Sequence, residues 1–330
     1  MPNAQPSVAI VIPVLDEVST IGPCLDSIAA QDYQVAEVII ADGGSTDGTL
    51  DLLSQWANRS TGWRVIRNPR RRQSPGINLA VAEAKSDVIV RMDAHTTYAP
   101  DYVGRSVTAL LETGAVAVGG PMRPVATRGF GRAVAAAMRI PLLTGPARFH
   151  RDDAAGEADT VYLGTFRRSD FVGVGGLRSF PSGAGEDADL YHRWRRQGAK
   201  VWLDPTIVSE YRPRGSVAAL FRQHFRYGQA KAEMLWVNGS WPSWRPLAPG
   251  LLFGALVGGG VFWIVLGTGW PLAAVGVGWL ALLVGAAWRQ GRLIPLVVLA
   301  GAVMHLAYGL GLWWGLIRGP RRVRRSVATV

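Results

Sequence analysis

From Leu247 to Ile317 the chain carries only two charged side chains, Arg289 and Arg292. Three apolar runs fill that stretch, Leu247–Leu266, Trp270–Trp288 and Leu293–Ile317. Each approaches the ~20 residues a helix needs to cross the hydrocarbon of a bilayer. One such run could be a buried core helix. Three in succession, rich in Gly and Trp, favour lipid. Residues 1–245 read as an ordinary globular mixture, and a chain of 330 residues has room for one large domain and an appendage. The expected division is a globular domain over 1–245, with interfacial helices, and a membrane anchor of two or three helices with a basic tail over 246–330.

Charge and hydropathy conflict over topology. Arg289 and Arg292 follow the second run, as suits a cytoplasmic loop after two crossings. The tail residues Arg318, Arg321, Arg322, Arg324 and Arg325 also favour the cytoplasm, whereas a third crossing would carry them to the other side. Met1–Ser7 lacks a charged leader region, and Val8–Leu15 is too short and strand-like for a signal peptide. The expectation is a multi-pass protein of the cell membrane with its globular part in the cytoplasm.

The net charge of +11 gathers at Arg70–Arg72, Arg193–Arg196 and the tail. Aromatic residues cluster near the apolar runs rather than among these basic groups. The charge therefore points to anionic headgroups and phosphorylated substrates and away from nucleic acid. A single cysteine, Cys24, excludes an internal disulfide and a cysteine-based zinc site.

The first half alternates strand and helix patterns. Val8–Val14, Glu37–Ala41, Trp63–Arg67 and Asp87–Met92 read as strands. Ser19–Ala30, Thr46–Trp56 and Pro75–Ala84 read as helices between them. That order predicts an α/β fold with a parallel sheet covered on both faces. Asp16, Asp42 and Asp93 fall just after strand ends, on the edge where such sheets bind ligands. Further on, Ala115–Gly119, Thr160–Phe166, Val201–Leu203 and Ile207–Tyr211 suggest strands, and Glu186–Gln197 and Ser216–Leu235 helices. Phe130–Ile140, with Arg132 and Arg139, predicts an amphipathic helix lying on the bilayer.

Five clusters carry chemistry-bearing side chains. Pro13-Val14-Leu15-Asp16-Glu17 ends the first strand, and Asp42-Gly43-Gly44-Ser45-Thr46-Asp47-Gly48-Thr49 ends the second. Asp42 can accept hydrogen bonds from a base or ribose, though Asp-Gly pairs also make plain turns and Asp47 can cap a helix. Asp93-Ala94-His95 can offer a carboxylate and an imidazole to a divalent metal. Imidazole suits Mn²⁺, while Mg²⁺ prefers oxygen. Glu186-Asp187 stands at the mouth of a helix, where acids also serve as simple caps. Gln223-x-x-Arg226-Tyr227 offers a guanidinium fork for phosphate beside an aromatic platform, or a basic helix that snorkels to headgroups. His305, alone in an apolar run, fits a packed or interhelical residue.

The first two clusters resemble the opening of family 2 glycosyltransferases, whose fold is GT-A, a Rossmann-like nucleotide-diphospho-sugar transferase domain. The resemblance implies that Pro13, Asp16, Glu17 and Asp42 hold the nucleotide. Asp93 would bind a divalent metal, Mn²⁺ or Mg²⁺, and the donor diphosphate. His95 stands where the family has a second carboxylate, so its ligation is open. Glu186-Asp187 resembles the pair that carries the catalytic base, which would be Asp187. Gln223, Arg226 and Tyr227 resemble the Gln-x-x-Arg-Trp motif of membrane-bound members, with Tyr for Trp, and would close over the donor and place the acceptor. With Asp159–Arg168 and Phe221–Gly228 added, the chain resembles the ExoA-type succinoglycan biosynthesis subgroup over residues 8–235. Its members add glucose to a lipid-linked sugar.

The implied activity is inverting, metal-dependent transfer of a hexose from a nucleotide sugar, UDP being the family's usual carrier, to a polyprenyl-linked acceptor. One alternative is a polyprenyl-phosphate sugar synthase, whose phosphate nucleophile has little need of a base. Another is a non-catalytic membrane scaffold that binds a nucleotide sugar. A processive synthase would need more crossings than this chain offers.

Overall fold

Val8, Ile10 and Ile12 of the first strand are buried in one apolar core, and Ala9 and Val11 in another. Side chains alternate across a strand, so a run of consecutive apolar residues needs cover on both faces. The computed structural model describes residues 5–145, 147–241, 244, 247–320 and 323, and it supplies that cover. The strands are β1 Val8–Val14, β2 Glu37–Asp42, β3 Trp63–Arg67, β4 Val88–Arg91, β5 Thr96–Tyr98, β6 Ala117–Gly120, β7 Met122–Pro124, β8 Gly156–Glu157, β9 Tyr162–Arg167, β10 Val201–Leu203 and β11 Ser209–Tyr211. The helices of the first half are α1 Ile21–Ala29, α2 Thr49–Arg59, α3 Gln73–Glu83, α4 Tyr102–Thr113, α5 Gly129–Met138 and α6 Pro141–Thr144. The second half adds α7 Arg168–Gly173, α8 Glu186–Arg196, α9 Val217–Asn238, α10 Leu247–Leu266, α11 Trp270–Ala287 and α12 Ile294–Arg318.

The main sheet runs β3-β2-β1-β4-β9-β6-β10-β8, and β5-β11-β7 form a small second sheet. Strands β3, β2, β1 and β4 are parallel as expected, but β9 enters antiparallel between β4 and β6, and β8 is antiparallel to β10. Local alternation of strand and helix fixes the parallel half. It says nothing of a late strand inserted from the far side. Because β1, β2 and β4 are parallel, Asp16, Asp42 and Asp93 emerge at one sheet edge. Helix α2 starts at Thr49 rather than Thr46, because Gly48 adopts φ +97° and the Asp47 carboxylate accepts from Thr49 N at 3.0 Å.

The three apolar helices form at nearly the expected bounds. Leu247–Leu266 and the 49-residue stretch Trp270–Arg318 are each long and apolar enough to cross a membrane. The second stretch bends at Gly291 (φ 55°), which separates α11 from α12. Large apolar side chains on α10 and α11 face outward, among them Leu251, Ile264, Val265 and Val277. Of the tail, Arg321, Arg322, Arg324 and Arg325 lie outside the described residues, as do Met1–Ala4 at the other end.

Helix α12 is packed along its length. Glycines set its contact with α9: a Cβ on Gly311 would lie inside the Phe225 carbonyl, and one on Gly228 inside the Tyr308 carbonyl. At Gly315 a Cβ would come within 2.7 Å of Ala232 Cβ. The expected boundary at 245/246 thus falls just after a helix whose side lies against the apolar bundle. The amphipathic reading of Phe130–Ile140 also changes. Ala133, Val134 and Ala137 of α5 join one core with Leu143, Leu220, Leu283, Val297, Ala300 and Met304. The apolar face meets protein helices, not lipid, because the bundle offers it a complementary surface that sequence cannot display.

The glycine contact yields a test. Gly311→Ala forces α9 and α12 apart and should lower stability by roughly 1–3 kcal/mol. Gly258→Ala, whose Cβ meets nothing within 4 Å, should be neutral or favourable by up to about 1 kcal/mol. Thermal unfolding in detergent micelles compares the two.

Candidate active site

Strand β4 reads Val-Ile-Val-Arg, and a charge at its buried end requires a partner. Arg91, 6% exposed, has two. Its Nη1 donates to Asp187 Oδ1, and its Nη2 lies 3.4 Å from Asp93 Oδ1. Burial works against the guanidinium's charge, but Asp187 and then Asp93 outweigh it, so its pKa is held above the ordinary arginine value. One cation therefore fixes a carboxylate from the edge of the sheet and one from the mouth of α8 in the same cleft. Sequence reading missed Arg91. The available signal was an arginine ending an otherwise apolar strand.

Asp93 is 8% exposed, and Gln73 Nε2 donates to its Oδ1 at 3.2 Å. Its N–H donates to Tyr98 Oη at 2.7 Å, which pins the loop after β4. The Cys24 thiol lies beneath. It is pushed up mainly by burial and further by the charges of Asp93 and Glu17, so it is inert as a nucleophile. His95 is half-buried, with its ring edge-on to Tyr211 at 5.4 Å between centroids.

Asp187 is presented by Gly185, whose φ of +81° opens α8 and whose Cβ would lie 2.8 Å from Ala230 Cβ on α9. Helix α8 is held by Asp189, fully buried, which accepts from Arg193 Nε at 2.9 Å and Asn238 Nδ2 at 2.8 Å. The Asp187 side chain is 40% exposed, whereas Glu186 is buried. Burial pushes Glu186 up to about 7, and the charge of Asp187 adds to that.

Helix α9 supplies the third wall. Gln223 Nε2 donates to Tyr227 Oη at 2.9 Å and to Tyr211 Oη at 3.2 Å. Tyr227 is within electrostatic reach of Asp187. The chain Tyr227, Gln223, Tyr211, His95 thus links α9 to the loop after β4. Arg226 is on the same helix, exposed, and makes no ion pair among the described residues. Tyr211 is a further lining residue that sequence reading did not single out.

The nucleotide-side residues organise their own loops. Asp42, 3% exposed, accepts from Gly44 N at 2.8 Å and Ser45 Oγ at 2.6 Å. Asp16 adopts φ +53° and accepts from Thr46 N at 2.8 Å, while Glu17 N–H donates to Thr49 Oγ1 at 2.9 Å. Pro13 is paired with Ala41 inside the sheet. Asp42 is therefore a turn-former in this structure, with Gly43 and Gly44 at the sheet edge beside it. Arg71 (φ +53°) reaches over that turn, its Nη1 3.5 Å from where a Gly44 Cβ would stand.

Among the described residues no group of three His, Cys, Asp or Glu side chains could hold a metal. Asp93 and His95, the two sequence-predicted ligands, stand two residues apart on the loop after β4. The bonds to Asp93 use Oδ1 and leave Oδ2 clear of them. His95 makes no hydrogen bond among the described residues. One carboxylate and one imidazole fit a cation whose remaining ligands are substrate oxygens and water, and they suit Mn²⁺ better than Mg²⁺.

The sheet, its aspartate loop and the facing acidic helix mouth are those of a GT-A glycosyltransferase, and the chain belongs to glycosyltransferase family 2. The model named "Glycosyl transferase family 2" matches residues 9–171. The chain is 36% identical over 323 residues to "Succinoglycan biosynthesis protein ExoA" of Rhizobium meliloti (strain 1021), covering 95% of this chain and 96% of that protein. It is 25% identical to "Dolichyl N-acetyl-alpha-D-glucosaminyl phosphate 3-beta-D-2,3-diacetamido-2,3-dideoxy-beta-D-glucuronosyltransferase" of Methanococcus voltae, over 69% of this chain and 74% of that one. Among solved structures, the mannosyltransferase PcManGT from Pyrobaculum calidifontis in complex with GDP-Man and Mn²⁺ superposes with a TM-score of 0.63 at 21% identity, covering 94% of this chain and 88% of that one. S. aureus TarS 1-349 in complex with UDP-GlcNAc gives 0.53 at 14% identity, with 95% and 92% coverage.

The buried acid gives a pH test. Between the ordinary glutamate value of 4.5 and about 7, folded Glu186 keeps a proton that the unfolded chain has released. Stability therefore falls as pH rises through that window and levels off above it. Glu186→Gln should leave the unfolding midpoint nearly unchanged at pH 5 and raise stability on the order of 2 kcal/mol at pH 8. Thermal scans across pH check it.

Proposed function

We propose that the protein transfers a hexose, with inversion, from a UDP-sugar to a lipid-linked acceptor in the synthesis of a cell-surface polysaccharide or glycolipid. The observation that supports this best is the Arg91 guanidinium that holds Asp93 and Asp187 in one cleft. The acceptor hydroxyl oxygen attacks the anomeric carbon as the bond to the diphosphate oxygen breaks. The nucleoside diphosphate leaves with the bonding electrons, and the hydroxyl proton passes to Asp187. A single displacement inverts the anomeric configuration.

Asp187 rather than Glu186 is the base, because its carboxylate is open to the cleft while its neighbour is buried. A base in reach of the attacking hydroxyl contributes typically 10²–10⁴-fold. Asp93 and His95 would hold a divalent cation, which when bound offsets the charge of the departing diphosphate. Asp16, Glu17 and Asp42, which order the loops around Gly43 and Gly44, would hold the nucleotide. Gln223, Arg226 and Tyr227 cover the donor and place the acceptor. Residues 1–245 act as the catalytic domain in the cytoplasm, and 246–330 anchor it in the cell membrane.

Two measurements test the reading. Asp187→Asn should cut transfer to lipid at least 10²-fold while nucleotide affinity stays near wild type. Turnover that survives would favour a phosphate acceptor, which is already ionised. Transfer should stop on chelation and return more fully with Mn²⁺ than with Mg²⁺, scored with UDP- and GDP-sugars as label entering the lipid fraction. Full activity in chelator would remove the metal from the scheme.

A further inference from the structure

Helix α12 is long and apolar enough to cross a bilayer, yet protein surrounds its middle. No residue from Ala300 to Leu312 is exposed. Gly301 lies against Leu143 of α6 and Leu283 of α11, Gly309 against Pro249 and Phe253 of α10, and Gly315 against Ala232 of α9. Val297, Ala300 and Met304 share a core with Ala133 and Val134 of α5.

Its neighbour α9 belongs to the globular domain. Gln223 donates to Tyr211 Oη at 3.2 Å, Glu233 accepts from Ser182 Oγ at 2.6 Å, and Asn238 donates to Asp189 at 2.8 Å. Those bonds tie α9 to the cleft from its second turn to its end. The two helices run in the same direction, since Phe225 meets Gly311 and Gln229 meets Gly315. Trp236 Nε1 donates to Gly315 O at 3.3 Å. Along this seam α9 carries Arg222, Arg226, Lys231 and Glu233. Hydrocarbon excludes such charges, so the part of α12 beside them, from Tyr308 to Arg318, stays outside it. The remainder, residues 294–307, would reach only about 21 Å at 1.5 Å per residue, short of the ~30 Å core of a bilayer.

Helices α10 and α11 differ. They hold 20 and 18 residues and no charge. They fold back on each other, so that a Cβ on Gly259 would stand 3.0 Å from Leu272 Cα and one on Gly269 3.5 Å from the Trp263 ring. The base of this hairpin meets protein, through Gly250 on Leu312 and through Leu283 and Ala287 in the core that α12 shares. Towards the tip every residue from Val261 to Gly267 is exposed. Trp263 and Trp270 stand near the tip, and Trp288 at the base, with the Arg289 guanidinium 5.9 Å from its ring centre. Tryptophan collects at both faces of a membrane, and arginine on the cytoplasmic side.

We infer that the α10–α11 hairpin alone meets the hydrocarbon from face to face, that α12 is an internal strut of the globular domain, and that the basic tail beyond Arg318 returns to the domain's side of the membrane. Two crossings in place of three reconcile charge with hydropathy. Arg289, Arg292 and the tail arginines then share one side, facing the anionic headgroups of the leaflet beside the domain. The inference rests on the membrane-anchor reading and narrows it, and it is independent of the transfer chemistry.

The experiment uses the full chain in the cell membrane. Cys24 is fully buried, so wild type is the blank for a membrane-impermeant maleimide. Single reporters are Thr61→Cys on the globular domain, Thr268→Cys at the hairpin tip, Gln290→Cys between α11 and α12, and Ser326→Cys in the tail. In inverted vesicles the reporters at 61, 290 and 326 should label and the one at 268 should not. In spheroplasts the pattern should reverse. Labelling of position 326 from the face opposite to position 61 would overturn the inference, because α12 would then cross. So would labelling of position 268 from the same face as 61, or from neither face before detergent is added, since the hairpin would then fail to span. Release of the chain by alkaline carbonate would sink the anchor reading itself, a failure distinct from a tail on the wrong side.

Discussion

The cleft depends on one buried cation. Arg91 ends a strand whose other side chains are apolar, and its guanidinium is shared between Asp93 on the loop that follows and Asp187 at the mouth of α8. Desolvating that charge is costly, and leaving a buried guanidinium without a carboxylate is strongly destabilising. The arrangement thus sets the position of two carboxylates that come from opposite halves of the chain. It also offsets the mutual repulsion of Asp93 and Asp187, which the shared cation holds in one cleft.

A second constraint ties that cleft to the apolar bundle. Gly185 brings the mouth of α8 against Ala230, and Gly228, Gly311 and Gly315 bring α9 against α12. Asp187 is therefore positioned by a helix that is packed on an apolar, membrane-length one. Gln223 and Tyr227 share that helix, so they and Asp187 are tied to one element. The Asp189 cluster, with Arg193 from its own helix and Asn238 from the end of α9, closes the same joint in the soluble part.

Much of this was legible in the sequence. Periodicity placed β1, β2, β3 and the three apolar helices almost to the residue, because each needs only local pattern and length to be recognised. The motif order carried the family, which the relatives bear out. What escaped was non-local. The antiparallel β9 between β4 and β6 is a pairing of segments far apart in the chain. The face of α5 was assigned to lipid because an amphipathic stripe does not say what covers it. That Asp42 orders its own turn through Gly44 and Ser45 is likewise seen only in the folded loop.

The sequence by itself determined the α/β alternation, the strand-end aspartates, the membrane-length helices and the family. Each follows from residue type and spacing along one segment. Only the tertiary structure decided that Arg91 joins Asp93 to Asp187, that Tyr211 and Gln223 bridge the two sides of the cleft, and that α12 runs beside α9. Those are distances between residues far apart in the chain. They are fixed by how two faces of a sheet and a glycine-lined helix seam pack, and no local pattern encodes them.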